Sequence, residues 1–89
     1  MLLDSLKKAD KVVVGMKQTL KAIHNNKAIK VYVACDAEPH IIEEVIEASR
    51  KNNIELVKVD SMAELGRACS IKVGAAAACI IGTAGKEVE

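Results

Sequence analysis

Short apolar runs alternate with stretches of helical period along almost the whole chain, and that alternation leaves few folds open. Lys11–Val14 reads as a buried strand ending at Gly15, after which Met16, Thr19, Leu20 and Ile23 form one face of a helix stopped by Asn25-Asn26. Lys30–Asp36 is the next strand. Pro39 suits the first position of a longer helix whose inner face is Ile41, Ile42, Val45, Ile46 and Ser49. Glu38, Glu43 and Glu44 gather near its positive end and Arg50 and Lys51 close its last turn, so its charges follow the helix dipole. Ile54–Val59 is a third main strand with Glu55 and Lys58 outward, and Ser61-Met62-Ala63-Glu64 is a capping box opening a helix to about Ala68. Ile71–Ala75 reads as a loop and Ala77–Ile81 as the last strand. Before all of these, Leu2, Leu3, Leu6 and Ala9 mark a short opening helix, while Thr83–Glu89 has no periodicity and is expected to fray. The pattern predicts an α/β fold with helices on both faces of a small, partly parallel sheet of about four strands. Eighty-nine residues hold one core, so residues 1–82 are expected to form a single α/β domain without repeats, linkers or a cleft between domains.

The formal net charge of +1 argues at first against a nucleic-acid partner. Its distribution does not. Up to Cys35 there are seven Lys against two Asp, a surplus of five positive charges; from Asp36 to Gly66 there are eight acids against three bases, a surplus of five negative ones. The chain has a basic third and an acidic third. Tyr32 is its only aromatic residue, which excludes single-strand platforms that stack bases on rows of Phe or Tyr. The apolar run Val73–Gly82 is far below the roughly 18 residues of a membrane span, and the start lacks a signal peptide's pattern, so a cytoplasmic location is expected. Cys35, Cys69 and Cys79 show no C-x-x-C spacing and are expected as small buried hydrophobes.

The informative segment is Gly15-Met16-Lys17-Gln18-Thr19-Leu20-Lys21, a strand-to-helix junction. Lys17, Gln18 and Lys21 share one exposed face at spacings of three and four, and His24 extends it. Such a face is commonly no more than solvated surface. Here a cation in the first turn opposes the helix dipole by about 0.3–1 kcal/mol, and Lys17 and Lys21 repel by about 0.2–0.5 kcal/mol. The Pro39 helix obeys both rules that this one breaks. A local violation points to function, and an anion against the helix start would relieve it. Gln18, donor and acceptor at once, could add base-edge reading.

This segment resembles the G-x-[NK]-[EQ]-x-x-K signature of the kink-turn RNA-binding ribosomal-protein superfamily of the L-seven-Ae and L-thirty-e type. Ala34-Cys35-Asp36-Ala37-Glu38-Pro39 resembles its A-x-D-x-[DE]-P, Glu64-Leu65-Gly66-Arg67-Ala68-Cys69 its E-L-G-[KR]-A-[CA], and Ile71–Ala76 its recognition loop. The blocks keep the family's order from about residue 3 to 82, nearest to the short bacterial L-seven-Ae-like proteins. The resemblance implies a three-layer α/β/α sandwich that binds a kink-turn, an RNA duplex bent at a bulge beside tandem sheared G·A pairs. By position it assigns Lys17, Gln18 and Lys21 to the sheared guanines, the amides of Gly15 and Met16 to the RNA backbone, and Arg67 and Lys72 to phosphates. Ile71, Val73 and Ala75 would pack on bulge nucleotides and Asp36 would lie at the rim. The implied partner is structured RNA rather than DNA, with a ribosomal association, bound by a monomer without a cofactor. Two departures from the archaeal pattern stand out: Lys17-Gln18 replaces Asn-Glu, altering the guanine contact, and Gly74 replaces Pro, loosening the loop before RNA binds.

Enzyme readings fare poorly. A phosphatase-type C-x5-R loop starting at Cys35 would need arginine where Ile41 stands, and Gly82-Thr83-Ala84-Gly85-Lys86 has too few residues between its glycines for a Walker loop. His40 with Glu43 and Glu44 has metal spacing, yet exposed acids at a helix start explain those residues, and no metal site is expected. The remaining alternative is a protein-interaction module of the same fold acting through Glu43, Glu44 and Glu47, against which stands a solvated face with a Glu47–Lys51 pair.

Overall fold

The alternation becomes a four-stranded sheet in the computed structural model, which describes residues 11–82. The opening helix expected around Leu2–Ala9 and the Thr83–Glu89 tail lie outside the described residues. In chain order the elements are β1 (Val12–Val14), α1 (Met16–His24), β2 (Ala28–Ala34), α2 (Pro39–Lys51), β3 (Glu55–Val59), α3 (Met62–Ala68) and β4 (Ala77–Ile81). The sheet order is β1-β4-β2-β3.

β2 and β3 are parallel, with Tyr32 opposite Val57, because α2 carries the chain back along the sheet between them. β4 instead runs antiparallel to β1 and β2, pairing Val13 with Cys79 and Tyr32 with Ala78. The cause is the short α3 and the loop that follows. Its seven residues rise only about 10 Å, and residues 71–75 then run back along the helix: Ile71 N–H donates to the Gly66 carbonyl at 3.0 Å and Ala75 N–H to the Met62 carbonyl at 3.0 Å. The chain re-enters the sheet at the end where β3 left it, so β4 must reverse direction.

β2 shows why the fold has three layers. Val31, Tyr32, Val33 and Ala34 are all fully buried, although successive side chains on a strand point to opposite faces. Val31 and Val33, with Ala77 and Cys79, pack against Ala22 and Ile23 of α1 and Val45 and Ala48 of α2. Tyr32 and Ala34, with Val59 and Ala78, pack against Leu65 and Ala68 of α3 and against Ala75. A strand buried on both sides reads as a continuous apolar run, as this one does.

Local signals set several boundaries. Pro39 opens α2 behind Glu38 at the cap, and Asn26 ends the α1 turn at φ 60°. Ser61 caps α3 by accepting the Glu64 N–H at 3.1 Å. Other expectations shift. β2 ends at Ala34 rather than Asp36, since Ala37 N–H donates to the Ala34 carbonyl at 3.2 Å and draws Cys35 and Asp36 into a turn. Cys35 is therefore exposed rather than buried, Cys69 is half-buried, and only Cys79 lies within the core. Burial pushes the Cys79 thiol up to about 11, partly offset by the Thr19 hydroxyl. Glu47 pairs with Arg50 instead of Lys51. No described helix is long and apolar enough to cross a membrane.

Candidate nucleic-acid interface

β1, β2 and β3 all end, and β4 begins, at the same edge of the sheet, where three backbone hydrogen bonds tie the segments together. Gly15 N–H donates to the Ala77 carbonyl at 2.8 Å, Ala34 N–H to Ala76 at 2.9 Å and Cys35 N–H to Val59 at 2.7 Å. All three described helices start at this edge. Open α/β sheets commonly place their working surface there, because loops and helix N-termini meet.

α1 begins without a capping side chain. Its cap is Gly15 at φ 106° and ψ 151°, a conformation that side chains rarely adopt and that turns β1 directly into the helix. Thr19 N–H is the first to bond back within this helix, to the Gly15 carbonyl at 2.9 Å. The N–H groups of Met16, Lys17 and Gln18 therefore have no acceptor within the helix. The first turn holds no acid, while Thr19, Ala22 and Ile23 are buried. That rotation leaves Lys17, Gln18, Lys21 and His24 exposed and Met16 half-buried against the core. Gly15 departs from its expected role: its own amide is consumed by Ala77 and is not free for a phosphate.

The loop lies beside this start because β4 begins two residues after Ala75. Gly66 makes the close approach possible; a Cβ there would lie 2.1 Å from the Val73 carbonyl oxygen, inside any real contact. A Cβ on Gly74 would likewise sit 3.1 Å from the Met62 Cβ. Loop and α3 are thus seated backbone to helix. Val73 is 70% exposed and presents its side chain, whereas Ile71 is half-buried against the core and Ala75 is only 3% exposed. Of the expected apolar trio, Val73 protrudes and Ile71 is partly accessible, while Ala75 belongs to the core.

Lys72, Gly74 and Arg67 are exposed. Lys17, Lys21, Arg67 and Lys72 have no ion-pair partner among the described residues, whereas Lys30 pairs with Glu55 at 3.8 Å. Asp36 is exposed too, and its carboxylate accepts the Met62 N–H at 2.7 Å. Chemically the edge offers helix amides with no acceptor inside the helix, cations with no partner among the described residues, an amide side chain and one protruding aliphatic group, a set suited to an anionic ligand that also carries bases. No group of three His, Cys, Asp or Glu suited to a metal ion occurs among the described residues.

Sequence reasoning did not single out Gly66 and Met62 as the seat of the loop. Its one signal was a glycine within a helical pattern, which points to a packing reason.

The profile of the Ribosomal protein L7Ae/L30e/S12e/Gadd45 family matches residues 1–89. The chain belongs to this family. An RNA-binding protein of Geobacillus sp. (strain WCH70) is 55% identical over 73 residues, covering 82% of this chain and 89% of that one. The large ribosomal subunit protein eL8 of Halobacterium salinarum is 38% identical over 78 residues, covering 84% of this chain and 65% of that one. Among solved structures, a Giardia lamblia 15.5kD RNA binding protein superposes with a TM-score of 0.81 at 28% identity, covering 98% of this chain and 76% of that one. The mixed sheet between helical layers is the fold of these L7Ae-type proteins.

Proposed function

We propose that this protein is a noncatalytic RNA-binding protein whose target is a kink-turn, and that it acts in association with the ribosome. The observation that carries this reading is the uncapped, cationic start of α1, with Lys17, Gln18 and Lys21 exposed beside the 71–75 loop. An undistorted A-form major groove is too narrow for side chains, so a helix start can enter only where the RNA is bent open. In that opening Lys21 donates to O6 or N7 of a sheared guanine, Gln18 reads an adjacent base edge, and Lys17 holds a guanine or a phosphate. The amides of Met16–Gln18 face phosphate oxygens, and Arg67 and Lys72 make further phosphate contacts. Val73 packs against the splayed bulge nucleotides, and the accessible part of Ile71 adds to that apolar surface. The Geobacillus relative's description as RNA-binding supports the ligand class, and the likeness to eL8 supports the ribosomal association. In a gel shift, Lys21→Ala and Gln18→Ala are each expected to abolish retention of a kink-turn RNA while the circular dichroism stays that of the wild type. Unchanged retention by both variants would refute the site.

A further inference from the structure

An acid beside a phosphate-binding surface needs an explanation, since its charge repels the ligand. Asp36 is such an acid. Its Oδ1 accepts the Met62 N–H at 2.7 Å, joining the turn after β2 to the first turn of α3 across 26 residues of sequence. Ser61 already caps α3 locally through the Glu64 N–H, but that bond leaves the Met62 amide unserved, and Asp36 takes it. The positive end of α3 in turn offsets the carboxylate's charge.

Met62 is also where the loop is seated. Its carbonyl accepts the Ala75 N–H at 3.0 Å, and its Cβ faces the Cα of Gly74 so closely that a Cβ at 74 would approach it to 3.1 Å. One residue therefore receives Asp36 on its amide and the loop on its carbonyl and side chain. We infer that Asp36 is a positioning residue for the recognition loop: it fixes Met62, and through Met62 it sets where Gly74 and Ala75 lie and how Val73 is presented. The inference deepens the RNA-binding reading and rests on it for its affinity readout. It gives Asp36 a role that needs an acceptor oxygen at one place and no contact with RNA.

The experiment compares Asp36→Ala, Asp36→Asn and Asp36→Glu. Affinity for a kink-turn RNA is measured by calorimetry, and amide exchange of Ala75 and Val33 by NMR in the absence of RNA. Loss of the acceptor in Asp36→Ala is expected to weaken binding about fivefold, on the scale of a lost helix cap. Ala75 exchange should accelerate while Val33, in the sheet core, stays protected. Asp36→Asn, which keeps an acceptor oxygen without the charge, should restore both readouts. Asp36→Glu keeps the charge but misplaces the oxygen, and should behave as the alanine variant does, which also covers the case of an alanine variant that does not fold. Equal loss of affinity in Asn and Ala would overturn the inference, because the charge itself would then be acting. Unchanged Ala75 exchange in folded Asp36→Ala or Asp36→Glu would overturn it as well. If the wild type binds no kink-turn RNA, the RNA reading fails by itself; Ala75 exchange then decides the positioning role, acceleration sustaining it and no change overturning it.

Discussion

A Cβ on Gly66 would lie 2.1 Å from the Val73 carbonyl oxygen, whereas a Cβ on Gly15 would meet nothing within 4 Å. The two glycines are therefore required for different reasons, and substitution separates them. At Gly15 the strain is in the backbone, at φ 106°, so Ala and Ser should both destabilise by about 1–3 kcal/mol, with little difference between them. At Gly66 the obstacle is the loop backbone, so Gly66→Ala should destabilise by about 1–3 kcal/mol and Gly66→Val by more. Urea unfolding midpoints at constant slope measure both series. Cys79 gives a pH test. Burial raises its thiol from 9.0 to about 11, so between these values the unfolded chain loses a proton that the folded chain keeps, and stability falls as pH rises. Below pH 9 its contribution is complete. Unfolding measured from pH 8 to 11 should show a steeper decline for the wild type than for Cys79→Ala, by up to roughly 2–3 kcal/mol.

At the scale of elements, α1 and α2 both carry bases in the last turn, Lys21 with His24 and Arg50 with Lys51, but they begin differently. α2 carries no Lys or Arg in its first turn, while α1 puts Lys17 near its positive end. Replacing Lys17 by Glu should therefore stabilise the fold by about 0.5–1 kcal/mol while weakening RNA binding, a divergence that thermal unfolding and calorimetry on the same variant would detect. Gains in both, or losses in both, would not fit a cationic start maintained for a ligand. What the sequence revealed about these elements follows the range of the forces involved. The Ser61 cap, Pro39 at the start of α2 and the Lys17-Gln18-Lys21 face are local patterns, and each was readable from its neighbours. β2 ends two residues before the expected Asp36 because the Ala37 N–H closes a turn on the Ala34 carbonyl, and within that turn Asp36 engages Met62, 26 residues away. The fate of the Gly15 amide and the burial of Ala75 were equally hidden, since both depend on the register of β4. Which groups occupy the helix face was legible; which backbone groups remain free was not.

For the whole molecule, a net charge of +1 makes general attraction to RNA weak, so affinity must come from cations gathered at one edge and from the shape they meet. Salt dependence measures the first part. Lys72→Ala, which removes one phosphate contact, should reduce the magnitude of the log affinity against log salt slope by about 0.7–0.9, whereas Lys51→Ala, exposed at the far end of α2, should leave it unchanged. Shape is the second part, and it tests the central claim most directly. Binding by the wild-type chain is measured in parallel to a kink-turn RNA and to the same RNA with its tandem sheared G·A pairs changed to Watson–Crick pairs. The reading of α1 and its loop predicts at least about 30-fold weaker binding to the altered duplex, from two lost base-edge contacts and the lost bend. Equal affinity for the two RNAs would contradict it.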